Sequence, residues 1–239
     1  LADDHHVDPG RARVGQGRRH AGDRADRPDA GVQPHDLAHV DLRRDLDSAA
    51  LDFSFLERRD AESGPAFCLS RGCGSACHFC TSPDQGRFHG KSPAEVGKVL
   101  AGYGRRLKEL YGSWSAAPAE AFGLGFYDDD FLAEAPRALA VLDVVRRSPF
   151  PLRFVQASVR AFFPRGKDGA LGSLDERLLD ALSPDVFAPK LGRGEPSCDP
   201  QLYLGTESFC DRELARLGKG YGVAQVAGDA SRLPGCLRH

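Results

Sequence analysis

Strand-like and helix-like segments alternate along the chain from about residue 64, and this alternation constrains the fold more than any other feature. Short apolar runs predict strands over residues 66–70, 121–127, 152–158 and 201–205. Periodic or capped segments predict helices over residues 93–111, 135–146, 174–182 and 211–217. Strands that alternate with helices indicate a parallel sheet with helical crossovers. The sequence therefore predicts an α/β fold with about four βα units.

The predicted helix over residues 93–111 has the clearest signals. Ser92 is a favourable N-cap, Pro93 suits the first helical position, and Glu95 lies in the first turn. The apolar residues that follow recur at helical spacing, so one face of this helix is expected to be buried.

Polar residues follow each of the four predicted strands. In parallel sheets, active residues gather at the carboxyl ends of strands. The features placed there are the cysteine-containing segment 70–80, Asp128–Asp130, Gln156 with Ser158, and Glu207 with Ser208. We therefore expect these four groups to share one rim of the sheet.

Three clustered cysteines, Cys73, Cys77 and Cys80, follow the first predicted strand with the spacing C-x3-C-x2-C. Thiolates are the preferred ligands of iron–sulfur clusters, and three in one loop can hold one cubane. Gly72 and Gly74 would let the backbone approach the cluster and adopt positive φ. Three thiolates leave one iron without a protein ligand, so the sequence predicts a [4Fe–4S] cluster with one iron open for chemistry.

Other metal sites fit the cysteines less well. A structural zinc site requires four ligands, usually in two separated C-x2-C knuckles, and one such knuckle is present here. A ferredoxin-type electron carrier would need a fourth cysteine, and Cys68, Cys198 and Cys210 do not complete a standard run. A non-catalytic iron–sulfur or zinc binding module, or an inactive fragment of an enzyme, is the alternative interpretation.

Composition limits the partners and the compartment. The chain has 239 residues and a formal net charge of −2, which gives no electrostatic reason to expect nucleic acid or an anionic membrane. It contains no apolar run long enough for a transmembrane helix and no visible secretory signal. Seven cysteines, an odd number, make a poor disulfide framework, so we expect a cytoplasmic protein.

Residues 1–55 differ from the rest of the chain because they are rich in Arg, Asp and His and show no sustained periodicity. This composition predicts a poorly ordered, irregular N-terminal tail. Residues 56–239 are then expected to form the core domain.

Several of these motifs resemble those of one family. The C-x3-C-x-aromatic-C pattern, with Phe79 as the aromatic residue, resembles the signature of radical S-adenosylmethionine (SAM) enzymes. The segment 126–131 (Phe-Tyr-Asp-Asp-Asp-Phe) resembles the strand-2 motif of the cobalamin-associated and methylthiotransferase-like branches. The segments 204–208 and 211–221 resemble the strand-4 and helix-4 motif of the same branches. The resemblance covers roughly residues 64–222.

The resemblance implies a partial TIM-like (β/α) barrel of radical SAM type with a [4Fe–4S] cluster and SAM as cofactors. Such enzymes cleave SAM reductively to a 5′-deoxyadenosyl radical, for hydrogen abstraction or for methyl or methylthio transfer. The implied partners are a small-molecule or peptide substrate and a reductant such as flavodoxin or ferredoxin. The motifs indicate neither the substrate nor a residue that acts on it.

The resemblance also implies a set of SAM contacts. Carboxylates suit the cationic sulfonium and ammonium groups, an aromatic ring suits adenine, and short polar side chains suit the ribose hydroxyls. The candidates are Asp128, Asp129 and Glu207 for the cations, Phe79 for adenine, and Gln156, Ser158 and Ser208 for the ribose.

Each candidate also has a structural interpretation. Asp128–Asp130 could be an N-cap and helix-dipole cluster for the following helix. Gln156 and Ser158 could be ordinary residues at a strand end, and Glu207 could pair with Arg212 or Lys219 on the next helix.

The chain departs from the family at both ends. The family barrel typically has six βα units, whereas residues 222–239 predict at most one weak element and residues 183–200 predict an irregular loop. No cobalamin-ligating motif is found, so any cobalamin would be bound by a region not visible here. The sequence therefore predicts a radical SAM core that is truncated at its C-terminus.

Overall fold

A computed structural model of the protein describes residues 46–82, 86–166, 171–187 and 201–232. The strands are β1 (Ala66–Phe67), β2 (Ser70–Arg71), β3 (His89–Gly90), β4 (Leu124–Phe126), β5 (Leu152–Ala157) and β6 (Gln201–Leu204). The α-helices are α1 (Arg58–Glu62), α2 (Pro93–Tyr111), α3 (Ala135–Arg147), α4 (Glu176–Ala181), α5 (Pro184–Phe187), α6 (Asp211–Arg216) and α7 (Val223–Arg232). Short 3-10 helices lie at Trp114–Ala116, Ala119–Phe122 and Val159–Phe162.

The main sheet has four parallel strands in the order β1-β4-β5-β6, so its strands are neighbours in chain order. The helices α2 and α3 form the first two crossovers, and α4 with α5 forms the third. Consecutive parallel strands joined by helices are the repeating unit of a TIM-like barrel. The predicted α/β class with four βα units is therefore confirmed within the described residues.

The first predicted strand is divided in two. β1 pairs with β4 in the main sheet, whereas β2 pairs antiparallel with β3 in a separate two-stranded ribbon. Where the two strands separate, the Asp128 carboxylate accepts the backbone N–H groups of Leu69, which lies between them, and of Ser70, which begins β2.

One face of the main sheet packs into the hydrophobic core, where Leu124, Phe126 and Val155 are fully buried. The opposite face carries a row of rings, with Tyr127 and Phe154 centroids 4.3 Å apart and Phe154 and Tyr203 centroids 4.8 Å apart. Tyr127 is 58% exposed and Tyr203 is 52% exposed, so the described residues leave this face open.

The described part of the predicted tail packs on the domain. Lys91 donates from Nζ to the carbonyls of Leu46 and Ala49, and the Phe53 ring centroid lies 5.7 Å from that of Tyr103. The packed domain therefore includes residues before the predicted boundary at residue 55. Residues 1–45 of the predicted tail lie outside the described residues.

The structure describes part of the two C-terminal segments, residues 183–200 and 222–239, for which the sequence predicts little regular structure. The predicted irregular loop over residues 183–200 begins with the short helix α5, and residues 188–200 lie outside the described residues. Among the described residues beyond 222, which end at residue 232, the structure has one element, the ten-residue helix α7. Across the described ranges, none of the helices has the length and apolar character needed to span a bilayer.

Candidate metal and cofactor site

The three clustered cysteines lie in a loop whose two ends are joined by β2 and β3. Ser70 pairs with Gly90 and Arg71 with His89, so the loop leaves and returns at one place. Gly72 begins the loop with a φ of 69°, where a side chain would be strained. The expected positive φ is confirmed at Gly72 and is wrong for Gly74.

Two carboxylates that follow β4 anchor the start of this loop. Asp128 Oδ1 accepts hydrogen bonds from the N–H groups of Leu69 at 2.6 Å and Ser70 at 2.9 Å. Asp129 Oδ2 accepts from the N–H of Gly72 at 2.6 Å. Asp128 is buried, and desolvation raises the pKa of its carboxyl despite these hydrogen bonds, which lower it. These contacts couple the end of β4 to the first residues of the loop.

The guanidinium of Arg160 contacts the middle of the cysteine loop. Its Nη2 donates to the Gly74 carbonyl at 2.9 Å, and its Nη1 donates to Ser75 Oγ at 3.3 Å. Arg160 lies in the 3-10 helix that follows β5, so the third βα unit also supports the cysteine loop.

The C-terminal end of α6 supports the loop near the second cysteine. The His78 backbone N–H donates to the Leu217 carbonyl at 2.9 Å, and His78 Nδ1 lies 2.7 Å from the Arg216 carbonyl. The imidazole of His78 therefore contacts the last residue of α6, Arg216.

The cysteine loop and the ends of the strands enclose a cavity of about 220 Å³. Its walls carry thiols, carboxylates, short polar side chains and two aromatic rings. The lining residues that bear functional groups are Cys73, Ser75, Cys77, Phe79, Cys80, Ser82, Asp129, Asp130, Gln156, Ser158, Glu207, Lys219 and Tyr221. The expected shared rim thus exists as one enclosed space.

Asp130 is the most deeply buried carboxylate of the cavity wall, with 3% exposure. It accepts hydrogen bonds from the Ser158 N–H at 3.2 Å and the Ser158 hydroxyl at 2.6 Å. Burial raises its pKa to about 6, although both hydrogen bonds favour the charged form. This pair joins the end of β4 to the end of β5.

Glu207 and Lys219 form an ion pair in the cavity wall. Lys219 is 6% exposed, and its Nζ lies 5.1 Å from the Phe79 ring centroid in a cation–π contact. Glu207 has a φ of 54°, which is unusual for a residue with a side chain. The neighbouring Tyr221 hydroxyl donates to the Gly205 carbonyl at 2.6 Å. These contacts fix the wall that follows β6.

The structure brings most of the sequence-predicted site residues together. Those that line the cavity are Cys73, Cys77, Phe79, Cys80, Asp129, Gln156, Ser158 and Glu207. Asp128 and Ser208 do not line it. Asp128 is instead directed at the backbone of residues 69 and 70, and Ser208 Oγ accepts from the Cys210 N–H at 3.1 Å as a turn contact.

Five charged or polar wall residues are not among the predicted site residues: Ser75, Ser82, Asp130, Lys219 and Tyr221. Asp130 follows Asp128 and Asp129, the two predicted carboxylates, and the sequence does not indicate which of the three is buried in the cavity wall. The sequence allows an ion pair of Glu207 with Arg212 or Lys219, and the structure shows the pair with Lys219.

The donor groups of the cavity fit an iron–sulfur cluster better than a zinc ion. Among the described residues, no three His, Cys, Asp or Glu side chains converge as a single metal ion would require. No described histidine, and no described cysteine besides the triplet, lines the cavity; Cys68, for example, donates to the Ser70 carbonyl instead. Three thiols with no fourth protein ligand match a cluster that keeps one iron open.

Burial affects the free thiols themselves. Desolvation raises the pKa of Cys73 above its usual value, so the thiol stays protonated without a metal. Metal binding at this thiol would have to displace the proton, which would favour loading of the site at higher pH.

No protein-family model and no curated protein matches the chain. Among solved structures, the chain is similar to OxsB, a cobalamin-dependent S-adenosylmethionine radical enzyme, with 19% identity and a TM-score of 0.49. It is also similar to TsrM from Kitasatospora setae, a radical S-adenosylmethionine methyltransferase whose structure holds cobalamin and a [4Fe–4S] cluster, with 14% identity and a TM-score of 0.47. Both are radical SAM enzymes.

The similarity covers 69% of this chain but 21% of OxsB, and 71% of this chain but 26% of TsrM. The chain thus spans about a fifth to a quarter of the length of these enzymes. At these identities the likeness concerns the fold, and what the two enzymes bind is a property of those enzymes.

Proposed function

We propose that the chain is the core of a radical SAM enzyme that holds a [4Fe–4S] cluster on Cys73, Cys77 and Cys80 and SAM beside it. The observation that carries the proposal is the shared cavity. Three thiols from one loop line the same space as polar side chains from the ends of β4, β5 and β6. Cluster ligands and cofactor contacts therefore come from four successive βα units.

The three thiolates would bind three irons, and the amino and carboxylate groups of SAM would bind the fourth. When bound, the cluster would supply the electron that cleaves SAM to methionine and a 5′-deoxyadenosyl radical, for hydrogen abstraction or for methyl or methylthio transfer. The protein contributes the positioning of these groups, through the anchored loop and the cavity walls.

The contacts support different roles for the proposed SAM-binding residues. Phe79 presents a ring that is 49% exposed, which suits packing against adenine. Gln156 is exposed at the wall and suits a ribose hydroxyl. The Ser158 hydroxyl donates to Asp130, which leaves it as an acceptor only. Asp129 keeps one carboxylate oxygen beyond the bond from Gly72 and suits a cationic group.

We propose a small-molecule or peptide substrate and a reductant such as flavodoxin or ferredoxin. Cobalamin, if used, would be held by a region beyond this core. The five described cysteines are all free thiols, which suits a reducing compartment such as the cytoplasm.

The test is anaerobic reconstitution with iron and sulfide, followed by metal analysis and incubation with dithionite and SAM. We expect about four irons per chain and the formation of 5′-deoxyadenosine. Cys77→Ser should lose the visible absorbance of the cluster and the SAM cleavage. Cys210→Ser, which changes an exposed thiol outside the cavity, is the matched control and should retain both.

Three outcomes would contradict the proposal. About one zinc per chain and no iron would favour the zinc module instead. A full cluster that survives Cys77→Ser would place the iron ligands elsewhere. A cluster that forms on the triplet but never cleaves SAM would support a non-catalytic iron–sulfur module or an inactive fragment.

A further inference from the structure

A second cavity lies between α2 and α3 and shares no lining residue with the cysteine cavity. It encloses about 470 Å³, within the range of about 300–1,000 Å³ that is typical of small-molecule sites. Its apolar wall includes Leu100, Trp114, Val144 and Phe150. No role in the proposed radical SAM chemistry uses this space.

Small residues on α2 create the cavity. Gly97, Ala101 and Gly104 follow one another along the same side of the helix and line the space. A Cβ at Gly104 would lie 3.4 Å from the Phe150 ring and 3.5 Å from the Trp114 ring, so the absence of a side chain brings these rings close to the helix. The cavity is therefore formed by the backbone of α2 and by rings packed beside it.

The rim of the cavity is positively charged. Arg105, Lys108 and Arg147 line it, and no aspartate or glutamate does. Arg147 forms an ion pair with Asp143, one turn earlier on α3. The ammonium of Lys108 lies 4.7 Å from the Trp114 ring centroid. An apolar interior with a cationic rim is complementary to an amphipathic anion.

We propose that this cavity binds a small amphipathic carboxylate, with an apolar chain between α2 and α3 and the carboxylate at Arg105 and Lys108. The apolar chain would cover Leu100 and Phe150, and the carboxylate would compensate two cations that have no acidic neighbour in the cavity wall. This binding does not depend on the proposed cluster or on SAM.

The chain offers a direct reporter, because Trp114 is its single tryptophan and it lines the cavity. The experiment is a fluorescence titration of the full chain, without reconstituted cluster, with decanoate below micelle-forming concentrations. We expect a saturable change in Trp114 emission, because the carboxylate draws Lys108 away from the indole ring. Decylamine, of the same chain length and opposite charge, should bind at least about tenfold more weakly.

Two variants separate the cavity from unspecific adsorption. Ala101→Phe places a ring in the space from an exposed helical position and should abolish the saturable response. The double variant Arg105→Gln, Lys108→Gln should weaken decanoate binding about tenfold while retaining most of the packing area. Lys98→Gln, on the same helix but outside the cavity, is the matched control and should bind as the unchanged protein does.

The proposal fails if decylamine binds as tightly as decanoate or if Ala101→Phe leaves the titration unchanged. It also fails if decanoate does not bind and sedimentation shows a dimer that Ala101→Phe dissociates, since a second copy would then cover this face. Circular dichroism of each variant verifies that a lost response does not reflect unfolding.

Discussion

The buried carboxylate of Asp130 should make the stability of the protein depend on pH in an unusual direction. Burial raises its pKa to about 6, against an ordinary value of 3.8. The folded chain therefore holds this proton more tightly than the unfolded chain does. As the pH rises from 3.8 towards about 6, the unfolded chain releases its proton first, and the folded state loses stability.

The difference between the two pKa values corresponds to about 3 kcal/mol, which sets the size of the effect. Asp130→Asn removes the titration and can still accept the Ser158 N–H. The free energy of unfolding of the variant, minus that of the unchanged protein, should therefore increase by about 2 kcal/mol between about pH 4 and about pH 7.

Urea unfolding of the reduced chain without reconstituted cluster, followed by circular dichroism at several pH values, measures this difference. Asp175→Asn provides a control of opposite sign, because hydrogen bonds from Arg177 lower the pKa of Asp175. That variant should lose most stability relative to the unchanged protein at neutral pH and least in acid. A difference for Asp130→Asn that stays constant across the pH range would refute the reasoning.

Three further substitutions test the supports of the cavity and the core. Gly72→Ala should reduce the free energy of unfolding by about 1 kcal/mol in urea titrations, because φ is 69° there. Arg160→Gln should lower the iron content after reconstitution, measured per chain, because it loses the bond to the Gly74 carbonyl; an unchanged iron content would contradict this role. Tyr103→Phe should reduce the free energy of unfolding by about 1–2 kcal/mol in urea, because the Ala121 carbonyl loses a buried donor at 2.7 Å.

Local signals in the sequence define α2 well. The Ser92 side chain accepts from the Glu95 N–H, Pro93 starts the helix, and Gly112 follows it with a φ of 76°. The predicted helix over residues 93–111 therefore agrees with the structure at both ends. Caps and turns of this kind depend on neighbours in sequence, which is why they can be predicted from the sequence alone.

Contacts between distant residues were not predictable in the same way. Where the first predicted strand divides, the Leu69 N–H donates to Asp128, which is 59 positions away in the chain. Three consecutive aspartates look equivalent in the sequence. In the structure, Asp128 binds backbone outside the cavity, Asp129 anchors Gly72, and Asp130 is buried against Ser158. Their roles follow from where β4 ends relative to the cysteine loop, which the sequence does not encode locally.

The ion pair of Glu207 with Lys219 changes which carboxylate can serve a cationic ligand in the cavity. Lys219 is almost fully buried, so removing the charge of Glu207 would leave its ammonium poorly compensated. The Glu207 carboxylate is therefore occupied by its ion pair with Lys219, whose ammonium lies over the Phe79 ring. Asp130 is buried, and the Ser158 N–H and hydroxyl donate to its two carboxylate oxygens. Under the proposed function, Asp129, which is exposed at the wall and keeps one oxygen beyond its bond to Gly72, would then be the carboxylate that attracts a sulfonium or ammonium group.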